Sequence, residues 1–405
     1  MAQAATAIMP ATAAAAGTGK APWPFFAQDE IEAAGRVLAS GRVNYWTGEE
    51  GRAFEREFAA FAGTRHAIAL ANGSLAIELA LIVLGIRPGD EVVVTPRSYF
   101  ASASSVALLG AVPVFADIDR DSQNITPSTI ERVLTPRTKA VMPVHLAGWP
   151  CDMPGIIDLA KSRNLAVIED CAQAHGAEVG GRRVGSFGHF NAFSFCQDKI
   201  MTTAGEGGMI TTDDEALWRE AWSYKDHGKS WEAVYERTHA PGFRWLHEKL
   251  GSNWRLTEVQ SAIGRLQLAK LGDWLAVRAR NAGILAERLG RLEALRVPSP
   301  PEGFAHAWYK FYCFIRPEAL KEGWSRDRVM GEVTARGVPC FSGACPEIYR
   351  EKAMAERGFA PPAPLPVARE LGHTSLMLLV HPTLDEAAMH RATDVVEAVV
   401  REATR

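Results

Sequence analysis

Asp170 and Lys199, 29 residues apart, are of the types that amine chemistry on a carbonyl group needs. A lysine amine condenses with an aldehyde to an imine. A carboxylate can keep the nitrogen of an aromatic ring protonated, so that the ring withdraws electrons from a neighbouring carbon. With an aromatic for one ring face and small or hydroxylic residues for a phosphate, this is the set a pyridoxal phosphate site requires. Phe100 is the candidate for the ring face, and Gly73, Ser74 and Ser194 are the candidates for the phosphate. Each residue alone has a plainer reading. Asn72 or Ser74 would cap a helix, Asp170 would cap the turn behind it, Phe100 would fill a core, and Lys199 would stand in solvent. A P-loop is excluded, because G-x-x-x-x-G-K-[ST] is absent.

The surrounding periodicity supplies a frame that brings these residues together. Short apolar runs at 66–71, 91–95, 112–116, 140–145 and 165–169 read as strands. They alternate with helical patterns at 74–84, 100–109, 127–134 and 154–163, separated by Gly and Pro turns. Such alternation predicts an α/β fold, a mostly parallel sheet flanked by helices. In such sheets ligands bind beyond the carboxyl ends of the strands. Asn72-Gly73-Ser74, Phe100, His145, Asp170 and Ser194 all fall at strand ends. Two further strand-like runs, 191–195 and 208–212, enclose Lys199 and the Gly-rich stretch 205–208, where glycine permits close backbone approach to a ligand. Two amphipathic helices are expected at 28–39 and 51–61, another helix at 215–225, and long helical periodicity at 257–292. The Pro-rich stretch 297–303 reads as a linker. After it come a strand at 308–315, a helix at 326–336, a Pro-rich loop at 361–366, a strand at 376–380 and a last helix at 385–403. The domains expected are a disordered Ala-rich tail (1–22), a large cofactor-binding domain (23–270), and a long connecting helix with a smaller C-terminal α+β domain (271–405).

Seven separated stretches, in this order, carry a family resemblance. They are Ala71-Asn72-Gly73-Ser74; Pro96 to Ser102; Val144-His145-Leu146-Ala147-Gly148; Glu169 to Gly176; Ser194 to Lys199; Gly205-Glu206-Gly207-Gly208; and Asn253 to Glu258. Any one is weak, but the ordered set resembles the DegT/DnrJ/EryC1/StrS family of pyridoxal-phosphate-dependent sugar aminotransferases, of the aspartate aminotransferase-like fold type I. The likeness runs from about Phe25 to the C-terminal helix. It implies that Lys199 forms the imine and shuttles the proton, and that Asp170 partners the pyridinium. It implies that Gln173 meets the phenolic oxygen of pyridoxal 5'-phosphate and Phe100 stacks on its ring. Gly73, Ser74 and Ser194 would take the phosphate, and Asn253 would reach the phosphate of a neighbouring subunit in a homodimer with shared sites. The reaction implied is ping-pong transfer of an amino group from an amino acid, usually L-glutamate, to a keto-sugar. That sugar would be nucleotide-linked or a keto-octulosonate, and the setting surface polysaccharide (lipopolysaccharide included) or amino-sugar biosynthesis. The chain departs from the family at Ala204-Gly205, where two glycines are frequent, and at His306 to Lys310, which keeps one histidine.

Three alternatives accompany this reading. Sugar dehydratases of the family carry histidine at the lysine position, against which Lys199 speaks. Cyclitol aminotransferases and aromatising synthases form a second branch. A pyridoxal-phosphate-binding regulator without turnover would have no use for a proton-shuttling lysine. The roles of Arg97, His145, His175 and Glu206, all plausible cleft residues, are left open.

Composition narrows the partners. The 405 residues carry 44 Lys+Arg and 47 Asp+Glu, for a net charge of −3, which gives no basic footprint for nucleic acid. No uninterrupted apolar run reaches the roughly 20 residues of a membrane helix. The six cysteines are scattered without a C-x-x-C pair, so no metal site is expected and a reduced, cytoplasmic setting fits. Trp231, Tyr235, Phe243, Trp245 and Trp254 crowd an otherwise polar segment, as the core of an interface would.

Overall fold

The computed structural model describes residues 22–404; the tail expected at 1–22 lies, Pro22 apart, outside the described residues. The main sheet has seven strands: β1 (His66–Leu70), β2 (Glu91–Val94), β3 (Val112–Phe115), β4 (Thr138–Met142), β5 (Ala166–Asp170), β6 (Phe190–Ser194) and β7 (Gly208–Thr212). They lie in the order β1-β7-β6-β5-β4-β2-β3. β7 runs antiparallel to both its neighbours, and the strands from β6 to β3 are parallel to one another. β2, β6 and β7 are buried at every residue because helices cover both faces, so even the polar Glu91, Asn191 and Thr211 lie in the interior.

The period of two along the strands decides what each face sees. Phe190 and Ala192 of β6 join the core formed with Ile77, Leu81, Val92 and Trp222. Phe193 and Phe195 point the other way, into a core with Phe54, Phe58 and Met209. Ser194 therefore shares a face with Phe190 and Ala192, the face on which helix Gly73–Val83 lies. That helix is started by Asn72, whose side chain accepts from the Leu75 N–H at 2.9 Å.

The long helix Glu258–Leu289 is opened by a capping box of Thr257 and Gln260. Its Leu271 packs with Phe54 and Phe58, whereas its Leu285 and Leu289 pack with Phe311, Val329 and Val396 of a smaller core. That core lines an antiparallel sheet of Leu295–Arg296, Phe311–Ile315, Ser375–Leu378 and Cys340–Phe341. Helices Arg326–Ala335 and Glu386–Ala403 accompany it.

Several features differ from the sequence expectation, three of them near the site or the smaller sheet. The strand expected from Trp308 begins at Phe311, because Trp308 has φ of 49° and the buried Arg278 takes the carbonyls of Trp308 and Tyr309. The Pro-rich loop gives way at Pro366 to an unexpected helix, Pro366–Thr374; proline suits the first helical position, where its missing N–H costs nothing. Glu178–Val179, Arg182–Arg183 and Phe304–Ala305 form a small ribbon whose strands are too short to leave a periodicity.

Candidate functional site

Three strand ends meet at one edge of the main sheet. Gly208, which opens β7, stands opposite Leu70 at the end of β1 and opposite Ser194 at the end of β6. The approach is close enough to exclude side chains: a Cβ on Gly208 would lie 2.3 Å from the Asn72 carbonyl oxygen, and one on Gly73 2.6 Å from the Ser194 Cβ. The first amides of a helix have no intrahelical acceptor. Asn72 takes that of Leu75, so the amides of Gly73, which packs against Ser194, and of Ser74 are left at the helix start, where an anion can be held. Asn72 is thus the cap of the plainer reading, and its capping leaves the cradle to its neighbours. In Gly73→Ala the new methyl must push Ser194 and the helix apart. The affinity for pyridoxal 5'-phosphate is expected to fall about tenfold or more, with about 1–3 kcal/mol of stability lost. Cofactor titration and urea unfolding of the cofactor-free protein measure the two.

Next along the edge is Asp170, buried at the end of β5. Its Oδ2 accepts from the Ser102 hydroxyl at 2.8 Å and its Oδ1 from the Ala172 N–H at 3.1 Å. Its main chain is held on both sides, N–H to the Pro143 carbonyl and carbonyl from the His145 N–H. The turn-capping role is therefore real, and it also fixes the carboxylate's direction. Ser102, one helical turn beyond Ser98 and 3.2 Å from its hydroxyl, is a supporting residue that the sequence did not single out. The Gln173 Oε1 accepts from the Ala147 N–H at 2.8 Å, which leaves its NH2 group as the donor. Ala147 and Gly148 both have positive φ, and a Cβ on Gly148 would stand 2.9 Å from the Trp308 amide nitrogen. Phe100, at the start of helix Ala101–Leu108, is half-buried against the Ile77 and Val92 core, so it serves that core as well.

Lys199 lies in the turn after β6, its Nζ 5.1 Å from the centre of the Tyr309 ring. The Tyr309 hydroxyl donates to Asp198 Oδ2 at 2.5 Å, and the Lys310 Nζ lies 3.6 Å from the same oxygen. Burial works to raise the Asp198 carboxyl, but the charges of Lys199 and Lys310 prevail and hold it below the usual range. Burial brings the Lys310 amine down to about 8. The sequence pattern puts no second lysine in this cleft; Lys310 stands there because the segment before Phe311 folds back onto Asp198.

The four open residues have definite places. His145 donates from Nε2 to Glu169 Oε2 at 3.0 Å, while its Nδ1 accepts from the Cys151 N–H at 2.9 Å. Glu169 also accepts from the amides of Gly185, Phe187 and Gly188. His145, Glu169 and Cys171 have ligand atoms within 4.8 Å of one another, but these bonds occupy the histidine and the carboxylate and make the group part of the frame behind Asp170. Arg97 is buried and donates to Gln123 Oε1 and to Ser375 Oγ, tying the β2 end to the smaller sheet. His175 is buried against Phe193 and Phe195; burial, with the charges of Lys199 and Arg278, lowers it to about 3 and keeps it neutral. Glu206 is exposed, and its main-chain carbonyl accepts from Thr203 and Gln260.

Asn253 is exposed. Its backbone bridges Asp226, and the next two residues attach to the end of β1, Trp254 through its carbonyl to the Ala71 N–H and Arg255 by a bridge to Leu70. The aromatic segment divides. Trp231 and Trp254 pack on the main core. Tyr235 is partly exposed against Trp231 and Trp222. Phe243 and Trp245 pair with each other at 79% and 82% exposure.

A helix-flanked, mostly parallel sheet that gathers an anion cradle, an oriented carboxylate and a lysine at one strand edge defines the fold type I class of aminotransferases. The comparisons with known proteins agree. Residues 25–400 match the model of the DegT/DnrJ/EryC1/StrS aminotransferase family, and the chain belongs to that family. It is 38% identical over 372 residues to UDP-N-acetyl-3-dehydro-alpha-D-glucosamine 3-aminotransferase of Acidithiobacillus ferrooxidans, covering 91% of this chain and 93% of that protein. It is also 38% identical over 360 residues to GDP-perosamine synthase of Caulobacter vibrioides, covering 88% and 92%. The crystal structure of an aminotransferase from Psychrobacter cryohalolentis superposes with a TM-score of 0.93 at 54% identity, covering 95% of this chain and 99% of that one. The family works with pyridoxal 5'-phosphate, and the chain is a pyridoxal-phosphate-dependent aminotransferase.

Proposed function

We propose that the chain moves an amino group from L-glutamate to the keto group of a nucleotide-linked sugar, in the synthesis of a surface polysaccharide or an amino-sugar product. The observation that carries this reading is that Gly73 packs on Ser194 at the end of β6 while Asp170 ends the neighbouring strand β5, with Lys199 in the turn that follows β6. The nucleotide-sugar names of the two relatives support the acceptor class. The cofactor, when bound, supplies an aldehyde for the amine and a ring that withdraws electrons. Gly73 and Ser74 amides with the Ser74 and Ser194 hydroxyls hold its phosphate. Asp170 keeps a proton on the ring nitrogen, Gln173 donates to the phenolic oxygen, Phe100 covers a ring face, and Lys199 takes the proton from the donor Cα. The test is single-turnover amine transfer from glutamate, followed by a screen of nucleotide keto-sugars and keto-octulosonates as acceptors. Transfer from glutamate with no acceptor accepted among nucleotide keto-sugars would overturn the acceptor class.

The protein acts as a homodimer in this reading, with Asn253 completing the phosphate site of the other subunit. The exposed Asn253 and the exposed pair Phe243 and Trp245, in one segment, support it. A mixture of Lys199→Ala and Asn253→Ala chains tests it. In a mixed dimer one site carries both lesions and the other neither, so random exchange should restore about a quarter of wild-type activity. A mixture no more active than its parents, with exchange confirmed, counts against shared sites. Among the described residues no helix is long and apolar enough to cross a membrane; a cytoplasmic enzyme is the setting proposed.

A further inference from the structure

The Lys199 main chain is fixed in a turn rather than in regular structure. Its N–H donates to the Cys196 carbonyl at 3.0 Å, and its own carbonyl accepts from the indole Nε1–H of Trp23 at 2.9 Å. Trp23 comes from the other end of the sequence, before the first helix, and its ring is held on three sides. The Trp274 ring meets it edge-on at 5.1 Å, the His381 ring stacks at 6.3 Å with 20° between planes, and the Arg278 guanidinium lies 5.1 Å from its centre. Two of these contacts are themselves anchored. Arg278 is buried and donates to the carbonyls of Trp308 and Tyr309, next to the ring that the Lys199 amine faces. The His381 Nδ1 is bonded to the Thr383 hydroxyl, and the His381 carbonyl accepts from Asn281 of the same long helix. The guanidinium over the indole also compensates Arg278 for two nitrogens, Nε and one Nη, that have no hydrogen-bond partner.

We propose that Trp23 is a positioning residue for Lys199: its indole N–H, on a ring clamped by Trp274, Arg278 and His381, sets the Lys199 main chain and with it the direction of the amine. The inference rests on the role given to Lys199 above. A residue whose two flanking peptide groups are both held leaves its side chain only its own rotamers to search. A peptide free at the carbonyl adds main-chain freedom to that search and lowers the fraction of time the amine spends in a productive place.

The test compares Trp23→Phe, which keeps an aromatic ring in the clamp but loses the N–H, with Trp23→Ala, which loses both. Two readouts are needed. In the cofactor-free protein, hydrogen exchange of the 196–204 segment should quicken several-fold in Trp23→Phe and further in Trp23→Ala. In the loaded enzyme, the single-turnover rate constant for amine transfer from glutamate should fall about 3- to 10-fold in Trp23→Phe, the effect of one hydrogen bond, while KM for glutamate changes by less than about twofold. Trp23→Phe keeps the question answerable if Trp23→Ala does not fold. Faster exchange with an unchanged rate constant makes Trp23 a structural anchor only and overturns the proposal. A slower rate constant with unchanged exchange also overturns it, since the effect would not pass through the Lys199 main chain. If Lys199→Ala is inactive and both Trp23 variants match wild type, this inference alone fails. If Lys199→Ala still turns over, the reading of Lys199 fails and carries this one with it.

Discussion

Lys199→Ala is expected to fold and to lose amine transfer by on the order of a thousandfold or more, the scale of removing a positioned proton-transfer group. Stability should change little. The Lys199 amine faces the Tyr309 ring at 5.1 Å, a contact worth about 0.5–1 kcal/mol where it is not fully desolvated. The complication is Lys310, a second lysine in the same cleft, which lies 3.6 Å from Asp198 Oδ2 and whose amine burial brings down to about 8. A lysine so placed carries more neutral amine near neutral pH than an exposed one and is the obvious substitute. Its pairing with Asp198 and its near-complete burial hold it away from Lys199's place, so the loss should persist. Single-turnover kinetics on Lys199→Ala, Lys310→Ala and the double variant separate the cases. A residual rate in Lys199→Ala that vanishes in the double variant assigns the remainder to Lys310. A rate near wild type in Lys199→Ala itself removes Lys199 from the mechanism.

Asp170→Asn should bind the cofactor and transfer the amine roughly 100- to 1,000-fold more slowly. The substitution is nearly isosteric, and the amide oxygen can still accept from Ser102 or from Ala172, so the strand end should keep its form. What is lost is the negative charge that holds a proton on the ring nitrogen, and with it the ring's capacity to draw electrons from the donor Cα. Cofactor titration and the single-turnover rate, measured on one preparation, distinguish this from a folding defect. If the variant reacts as fast as wild type, the carboxylate's work is the turn it caps. Ser102→Ala should give a smaller loss in the same direction, since it removes one of the two bonds that aim the carboxylate without removing its charge.

The sequence by itself determined most of the elements and their order. Strand period and helix period differ enough that the strand-like runs at 91–95, 165–169 and 208–212 and the long helix after Thr257 could be placed within a few residues, and the ordered stretches from Ala71 to Glu258 pointed to the family. It also located the strand ends, because turn chemistry is local: Asn72 before Gly73, and Gly205 to Gly208 after Lys199. What it could not decide were the relations that depend on segments far apart in the chain. That Gly73 must be glycine follows from Ser194, 121 positions on, standing where a Cβ would go. That Trp23 touches Lys199, that Arg97 bonds Ser375, and that Lys310 shares Asp198 with Tyr309 all depend on how the first residues and the smaller sheet close over the main one. His145, His175 and Arg97 looked alike as polar residues of the cleft. Packing separated them, committing His145 to Glu169 and Arg97 to the smaller sheet and leaving His175 neutral between two phenylalanines, because burial and hydrogen-bond partners are properties of the folded neighbourhood and leave no periodic trace in the chain.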